Sequence, residues 1–319
     1  NYSVGKKRYE KKPDSEDLAL IQKIEELDIP YWVPTNKMPE GFNTEQPKIS
    51  HGLTHVHHFY SRRNLYAISA LISSQHSFSE TNSKLFLDGI QTISTSLVSK
   101  LTRYKYKKSG NSMLSGTLYV ASTTAEQNVF KVILAKLEDI IIAKRSISPS
   151  QSSILTRSST YFNIDEYKID YIFIDPPFGG NLMYSELNFL WEAWLRVFTN
   201  NQPEAVINAV QHKGLYEYQA LMQACFDEFF RVLKPGRWMT VEFHNSQNAV
   251  WNAIQEALQR AGFVIADVRI LDKQQQTFKQ VTTTAAVKQD LIISAYKPNG
   301  NLEERFRLQA GRVEGVWEF

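Results

Sequence analysis

The sequence DPPFGG, residues 175 to 180, brings together residue types that could hold an amine. Asp175 offers a carboxylate acceptor, and Phe178 offers a flat apolar ring. Pro176 and Pro177 fix φ and have no N–H group, so they form a stiff turn with free carbonyls. Rigid acceptors beside an aromatic ring suit a planar substrate with an exocyclic amine, which would donate to the carboxylate and to a proline carbonyl. Such hydrogen bonds draw the nitrogen lone pair out of conjugation and make the nitrogen more nucleophilic.

The segments around this turn alternate between strands and helices. The apolar run YIFI, residues 171–174, predicts a strand buried on both faces. Apolar periodicity and end signals predict helices over 185–198, 216–233 and 246–262, and strands over 237–244, 263–271 and 290–297. This order predicts an α/β fold with a parallel sheet that closes in an antiparallel strand pair. Because ligands bind at the carboxyl ends of such strands, residues 175–178 lie where a site is expected.

The first half of the chain gives weaker signals. Residues 1–50 are polar and proline-rich, which predicts an extended N-terminal connector with one helix over 15–27. Helices are predicted over 55–74, 83–104 and 126–145, and a strand over 116–122. The expected division is therefore a connector over 1–50, one domain over 51–299 and a C-terminal extension over 300–319.

Composition limits the class of protein. With 319 residues, 43% of them hydrophobic, the chain can form one large domain or two modest ones. The formal net charge of +3 does not by itself identify a nucleic-acid binder. The single cysteine, Cys225, excludes a disulfide framework and a cysteine-based zinc site, and its amphipathic helical setting favours a core position. No apolar run reaches the roughly 18 residues of a membrane span and no signal peptide is visible, so a cytoplasmic protein without membrane contact is expected.

The turn and its flanking blocks resemble those of the amino-group DNA methyltransferases. The similarity is strongest to the large bacterial adenine-specific DNA methylases that carry a zinc-ribbon insert, and it extends over about residues 1–299. The blocks that carry it are THVHHFYSRRNLYAISAL, DPPFGGNLMYSELNFLWEAWL, EFFRVLKPGRWMTVEFHNS and LDKQQQTFKQVTTTAAVKQDLIISAYKP.

The resemblance implies a fold, a reaction and partners. It implies a Rossmann-like class I sheet, with S-adenosylmethionine (SAM) as cofactor and DNA as partner. The reaction would be methylation of the exocyclic amine of a flipped-out base, with adenine N6 favoured and cytosine N4 left open. Asp175 and Pro176 would orient the amine, Pro177 would stiffen the turn and Phe178 would stack on the base. The implied role is restriction-modification or phage defence.

One element of that family is missing from the sequence. We find no glycine-rich loop after a first strand, the element that binds SAM in class I methyltransferases. The sequence also begins with Asn and not with Met, so it is expected to be the C-terminal catalytic part of a longer enzyme, or else a form that has lost its cofactor half. The missing N-terminal part, or a restriction or defence partner, is then an expected partner. Ser159 and Thr160, which precede the strand at 171–174, are candidates for contacts with SAM, although an ordinary loop explains them equally well.

Several polar residues are candidates for contacts with DNA, each with a plainer alternative. Asn181 and Tyr184 follow the turn and could shape a base pocket or cap the next helix. Arg62 and Arg63 could contact phosphates or line a SAM pocket, or lie on a solvated helix face. Lysines interleaved with tyrosines or glutamines in two loops could neutralise phosphates or simply be solvated, and they are Lys105, Lys107, Lys273 and Lys279.

Three histidines, His55, His57 and His58, raise the possibility of a metal site. No Cys, Asp or Glu accompanies them, and their spacing matches no standard zinc pattern. A polar loop that leads into a helix is the favoured interpretation, and no metal is predicted.

Two other functions remain open. The first is an RNA methyltransferase that acts on guanine N2, since those enzymes also use a D-P-P-aromatic turn. The second is a non-catalytic DNA-binding subunit that keeps the fold, which the missing glycine loop favours and the intact DPPF sequence disfavours.

Overall fold

The structure is a computed structural model, and it describes residues 2–4, 7–9, 11–75, 78–94, 97–105, 111–146, 151–245, 247–272 and 289–300. The chain divides into two compact units. The first consists of Asn1–Ser152 and Tyr184–Thr199, and the second of Ser153–Met183 and Asn200–Phe319. These bounds differ from the predicted division at residues 50 and 300, because the segment after the DPPF turn packs with the first half of the chain. As a functional division, the connector, catalytic domain and extension stay a prediction.

The first unit is mainly helical. A short antiparallel pair, β1 (Tyr2–Val4) and β2 (Lys7–Tyr9), comes first. The helices are α1 (Ser15–Glu25), α2 (Phe42–His51), α3 (Arg62–Ser74), α4 (Glu80–Ser94), α5 (Val129–Ser146) and α6 (Tyr184–Leu195). A 3₁₀ turn over Val56–Phe59 precedes α3. The core consists of fully buried apolar side chains of these elements and of the segments between them, among them Val56, Phe59, Ile68, Ile90, Leu101 and Leu190.

The second unit contains a four-stranded mixed sheet. Its elements are β3 (Ile169–Ile174), α7 (Leu215–Val232), β4 (Leu233–Phe243), α8 (Asn248–Arg260), β5 (Val264–Asp272) and β6 (Gln289–Tyr296). The strand order is β3-β4-β6-β5. The β3–β4 pair is parallel, and the β4–β6 and β5–β6 pairs are antiparallel. The predicted antiparallel pairing of the last two strands is therefore confirmed.

The strand that leads to the DPPF turn differs from its prediction. We predicted that the run YIFI would be buried on both faces, but Tyr171 is 54% exposed and Phe173 is 57% exposed. The reason is the place of β3 at the edge of the sheet, where its described pairing is with β4 alone. Tyr171 lies opposite Trp238, which is 41% exposed, so aromatic side chains share one open face. The other face carries Met239, Val241 and Phe243 into the core beneath α7 and α8.

Three predictions in the first half differ from the structure. Residues 116–122 form no strand, although Leu118 and Val120 are buried. The side-chain amide of Gln46 takes the place of a partner strand: its Nε2 donates to the Val120 carbonyl at 2.9 Å, and its Oε1 accepts from the Val120 N–H at 3.0 Å. The helix predicted over 83–104 ends at Ser94, and the helix predicted from 55 begins at Arg62 after the 3₁₀ turn.

Candidate active site

The DPPF turn follows directly on the carboxyl end of β3. Asp175 is exposed and Pro176 is buried, while Pro177 and Phe178 are half-buried. The Asp175 carboxylate is therefore open to solvent, while the other three residues of the turn pack against the rest of the second unit. This is the position that the sequence predicted for these four residues relative to their own strand.

Side chains and backbone groups from three distant segments hold the turn in place. The Tyr218 hydroxyl donates to the Pro177 carbonyl at 2.7 Å, and Asn245 Nδ2 donates to the Phe178 carbonyl at 3.0 Å. The Ile207 N–H donates to the Gly179 carbonyl at 3.2 Å. Among the described residues no donor reaches the Pro176 carbonyl, so this carbonyl and the Asp175 carboxylate remain as acceptors for a ligand. That Asp175 and Pro176 together hold an amine stays a prediction.

Gly179 allows the chain to leave the turn. Its φ of +67° lies in the left-handed region, which strains residues that carry a Cβ. A Cβ at this position would lie 3.3 Å from Asn245 Nδ2 and 3.3 Å from Ile207 Cδ1. A side chain at this position would therefore push against two of the three groups that hold the turn.

The Phe178 ring lies among aromatic side chains. It meets Phe243 edge-on, with ring centroids 5.5 Å apart, and its centroid is 6.0 Å from that of His244. Phe243 is fully buried, so it fixes one edge of the Phe178 ring. The half-buried Phe178 ring is thereby restricted in orientation before any substrate binds.

A histidine–carboxylate pair lies beside this ring. His244, at the carboxyl end of β4, has its Nδ1 2.6 Å from Oδ1 of Asp290 on β6. Asp290 is fully buried, and the His244 side chain is 21% exposed. A carboxylate at Nδ1 fixes the tautomer and the orientation of the imidazole and stabilises its protonated form. The pair can therefore accept a proton at Nε2 without leaving a buried charge unpaired.

The segment that precedes β3 is tied to α7 by a charged pair. Arg231 Nε and Nη2 donate to the two carboxylate oxygens of Glu228 at 2.8 and 2.7 Å. Arg231 Nη2 also donates to the carbonyls of Phe162 and Ile164, and Glu228 accepts from the Phe162 N–H at 2.5 Å. The guanidinium bonded to it keeps the pKa of the Glu228 carboxyl below its usual value, although burial opposes the effect.

Ser159 and Thr160 belong to that tied segment, and both are half-buried. Thr160 Oγ1 is 2.9 Å from Ser158 Oγ, and the Thr160 N–H donates to the same oxygen at 3.3 Å. These contacts are those of an ordinary polar loop. Their predicted contact with SAM stays a prediction.

The remaining predicted residues lie in several places. Asn181 is exposed in the second unit, and Tyr184 begins α6 in the first unit. In the first unit Arg62 donates to the Leu27 carbonyl through Nε and Nη2, and Arg63 Nη2 pairs with Glu126 at 3.0 Å. These contacts engage both guanidinium groups inside the chain. Lys105 is exposed, and the three lysines that lie outside the described residues are Lys107, Lys273 and Lys279.

The three histidines form a ring cluster in the first unit. The centroids of His57 and His58 are 4.3 Å apart, and His55 lies 5.7 and 5.2 Å from them. Burial, followed by the neighbouring histidines, lowers the pKa of His57 and of His58, which favours neutral imidazoles. Within the described ranges, no three His, Cys, Asp or Glu side chains are arranged to hold a metal ion. The helices described there include none that is long and apolar enough to cross a lipid bilayer.

Sequence reasoning missed the groups that complete the site. Tyr218, Asn245, His244 and Asp290 were not predicted as site residues, although His244 and Asn245 follow a predicted strand directly. Their place at the carboxyl end of a strand that is parallel to β3 was the available signal. Tyr218 and Asp290 gave no such signal, because one lies within a helix and the other near the start of its strand.

The described residues do not by themselves form a SAM site of the class I kind. Such a site uses a glycine-rich loop at the end of a strand that adjoins the catalytic strand. Here β3 is the edge of the described sheet, and a segment without helix or strand over 151–168 leads into it. Among the described residues, no glycine-rich loop of this kind follows a strand that adjoins β3.

Comparisons with known proteins give distant likenesses only. No protein-family model matches the sequence, and no curated protein matches it. A candidate DNA modification methylase from Thermus thermophilus, solved with SAM, is 15% identical over 43% of this chain and 50% of that chain, with a TM-score of 0.26. A SAM-dependent methyltransferase from Methanosarcina mazei is 12% identical over 54% of this chain and 79% of that chain, with a TM-score of 0.27. The cyclase SpnF is 14% identical over 55% of this chain and 65% of that chain, with a TM-score of 0.28.

These comparisons set limits on what is established. The chain spans about half the length of the Thermus methylase that it matches. TM-scores of this size do not establish a shared function, and the three structures include both methyltransferases and a cyclase. What is established is a mixed α/β chain whose described strands include a four-stranded mixed sheet.

Proposed function

We propose that this chain is the amine-holding part of a SAM-dependent DNA methyltransferase, with adenine N6 as the favoured target. The observation that carries the proposal is the DPPF turn itself. Two of its carbonyls are engaged by Tyr218 and Asn245, which leaves the Asp175 carboxylate and the Pro176 carbonyl as acceptors at the end of a strand. DNA as partner, the adenine preference and the role in restriction-modification or phage defence come from the resemblance of the sequence blocks.

Each group of the turn has a separate task in this mechanism. The target base leaves the DNA stack, because its amine cannot be reached inside the duplex. Its ring stacks on Phe178, whose orientation Phe243 fixes. The amine then donates one hydrogen to Asp175 and one to the Pro176 carbonyl, so that the nitrogen lone pair is directed away from the ring. Since the acceptors are already in place, catalysis by this part of the enzyme is mainly positioning.

His244 gives the proton of the product a destination. Once methylated, the exocyclic nitrogen is positively charged and sheds one proton. We assign that proton to His244 Nε2, while the buried Asp290 carboxylate at Nδ1 stabilises the imidazolium that forms. A general base of this kind contributes about 10²–10⁴-fold to a proton transfer. Here the gain lies at the low end of that range, because a methylated amine also loses its proton to water.

SAM, when bound, supplies the electrophilic methyl group. The described residues include no glycine-rich loop that could bind SAM. We therefore propose SAM binding for the product of the complete reading frame and not for these residues alone. The mechanism given above concerns the amine, the base and the proton only.

The test is a census of modified nucleosides. The complete reading frame that encodes this sequence is expressed in a host without DNA methylation, and the digested DNA is examined by mass spectrometry for N6-methyladenine and N4-methylcytosine. We expect N6-methyladenine in the wild type, its loss in Asp175→Ala, and no loss in Asp170→Ala. Asp170 is the matched control, because it lies on β3 and pairs with Lys234 outside the turn.

The role of His244 has its own readout. In His244→Gln we expect the rate of base modification to be about 100-fold lower, the low end of the gain that a general base supplies. Equal rates in His244→Gln and in the wild type would remove His244 from the mechanism and leave the turn untouched.

Other outcomes of the census favour the rival functions. Methylguanine in RNA, without a modified base in DNA, would favour an RNA methyltransferase that acts on guanine N2. No modified base in DNA or RNA, combined with DNA binding that survives in Asp175→Ala, would favour the non-catalytic DNA-binding subunit.

A further inference from the structure

A cleft in the first unit is separate from the DPPF turn and has no place in the mechanism given above. Its volume is about 410 Å³, within the range of pockets that take small molecules. The residues that line it and matter here are Trp32, Gln75, Trp194 and Arg196. All four belong to one compact unit, and none was singled out from the sequence as a site residue.

Two tryptophans form a rigid aromatic wall in this cleft. Trp194 is 4% exposed, and its Nε1 donates to the Tyr60 hydroxyl at 2.9 Å, which fixes the indole. Trp32 meets Trp194 edge-on, with ring centroids 6.1 Å apart, and remains 40% exposed. A half-exposed indole on a fixed support offers a stacking surface for a planar ring.

A cation lies against this wall. The guanidinium carbon of Arg196 is 3.9 Å from the centroid of the Trp32 ring, which is the geometry of a cation–π contact. Within the described residues no carboxylate pairs with Arg196. A guanidinium over an aromatic ring can still donate its N–H groups to the oxygens of an anion.

Arg196 has a backbone conformation that favours glycine. Arg196 follows the last residue of α6 and has φ +58°, in the left-handed region where helices usually place glycine. Its N–H still donates to the Ala193 carbonyl at 3.3 Å, as a helix end requires. A residue with a Cβ in this conformation carries strain, and strain of this kind is concentrated at functional sites.

An acceptor lies in the wall of the same cleft. Gln75 Oε1 is buried, and no donor reaches it among the described residues. A buried amide oxygen without a donor is unfavourable until a ligand supplies an N–H group. The cleft therefore combines a stacking surface, a site for an anion and a site for an amine.

We infer that this cleft binds a nucleotide. Its base stacks on the part of the Trp32 indole that Arg196 leaves exposed, its exocyclic amine donates to Gln75 Oε1, and its phosphate accepts from Arg196. The nucleotide has two sources, a free mononucleotide or one unstacked nucleotide of single-stranded DNA, and both present the same chemistry. The inference is independent of the proposed methyl transfer, since it uses a different unit and different residues.

Calorimetric titration of the full chain tests the inference, with deoxyadenosine monophosphate as the probe. We expect saturable binding to the wild type, and binding at least 10-fold weaker to Arg196→Gly. The wild type should likewise bind deoxyadenosine, which lacks the phosphate, at least 10-fold more weakly than the monophosphate. The matched purine nucleotide that lacks the exocyclic amine should bind the wild type more weakly than deoxyadenosine monophosphate does. The Gln75→Leu variant should bind the two nucleotides equally, because it lacks the acceptor for the amine. Arg196→Gly is a suitable variant because glycine relieves the strained backbone, so its melting temperature should not fall.

Two controls separate this cleft from other cations and from the turn. Arg157 stacks over Tyr161 at 5.4 Å in the second unit, so Arg157→Ala removes a comparable cation elsewhere and should leave the affinity unchanged. Asp175→Ala should also leave it unchanged, whereas it abolishes the modified base in the nucleoside census. If the wild type binds the nucleotide but modifies no base, the proposed methyl transfer has failed. If it modifies the base but does not bind the nucleotide, the inference about the cleft has failed.

Single-stranded oligodeoxyadenylate identifies the source. Tighter binding of the oligonucleotide than of the mononucleotide, lost in Arg196→Gly, supports a nucleotide of DNA, and the opposite order supports a free nucleotide. The inference is overturned if no nucleotide binds saturably, or if Arg196→Gly binds the mononucleotide as tightly as the wild type and Arg157→Ala.

Discussion

The Tyr218 hydroxyl donates to the Pro177 carbonyl across 2.7 Å, although 41 residues separate the two along the chain. Tyr218 is fully buried in α7, so the donor cannot move without disturbing the core. The bond anchors the turn, which two prolines already restrict, to the packed helix α7. The Pro177 backbone, two residues from Asp175, is therefore held by a residue that has no contact with substrate in the proposed mechanism.

Removal of this one oxygen should lower both stability and activity. In Tyr218→Phe the Pro177 carbonyl loses its donor while the ring still fills its place, so the free energy of unfolding should fall by about 1 kcal/mol. Urea unfolding measures this change, and the nucleoside census measures the activity. Tyr216→Phe, at a residue that is 78% exposed, is the matched control. Equal stabilities for the two variants would show that the bond contributes nothing.

A methyl group added to Gly179 should disturb the same turn from its other end. Gly179→Ala places a Cβ in the left-handed region, which costs about 1–2 kcal/mol, and sets it against Asn245 and Ile207. Gly52→Ala is the control, because Gly52 has φ +65° and no atom would lie within 4 Å of its Cβ. We expect the larger loss of unfolding free energy, and the loss of base modification, at Gly179 alone. Identical losses at both positions would mean that crowding at the turn has no effect.

The Glu228–Arg231 pair should make stability depend on pH in the acid range. The folded state lowers the pKa of the Glu228 carboxyl, so its contribution is complete above the unfolded value of about 4.3 and is lost as the pH falls through the folded value. Glu228→Gln should lower the free energy of unfolding by about 1–3 kcal/mol at pH 7 and flatten its slope below about pH 4.

Asp227→Asn is the neighbouring control for that experiment, since Asp227 is exposed on the same helix. Urea titrations at about five pH values between pH 3 and 7 for each variant would show the difference in the slope of unfolding free energy against pH. If the slope of Glu228→Gln equals that of the wild type, other carboxylates cause the acid sensitivity.

Cys225 should be unreactive in the folded protein. Burial raises the pKa of its thiol to about 11, and only the thiolate is the nucleophile. At pH 8 its alkylation should be about 100-fold slower than that of free cysteine, whose pKa is about 8.5. Mass spectrometry of the protein after iodoacetamide, in buffer and in urea, tests this. Rapid modification in buffer would contradict the core position predicted from the helical pattern.

Sequence periodicity located the elements of the second unit well. Helix α7 was predicted over 216–233 and spans Leu215–Val232, because a long amphipathic pattern fixes both the type and the extent of a helix. The DPPF turn was likewise predicted at the end of its strand. Both results rest on short-range patterns that no distant residue alters.

The parts that failed depend on neighbours that a local pattern does not encode. The run YIFI is apolar, but its composition does not reveal that β3 is an edge strand with Tyr171 and Phe173 exposed. The approach of Asp290 to His244 depends on β6 lying between β4 and β5, a strand order that no alternation of residues predicts. Arg196 could not have been found either, because the signal is its backbone conformation.

The open aromatic face of the sheet has a consequence for the behaviour of the protein in solution. Tyr171, Phe173 and Trp238 lie beside an edge whose outer backbone groups have no partner among the described residues. Such an edge is a template for strand addition, so we expect the folded state itself to self-associate. The loss of soluble protein during concentration and storage should therefore depend more on protein concentration than on temperature. The substitution Phe173→Lys should suppress this loss.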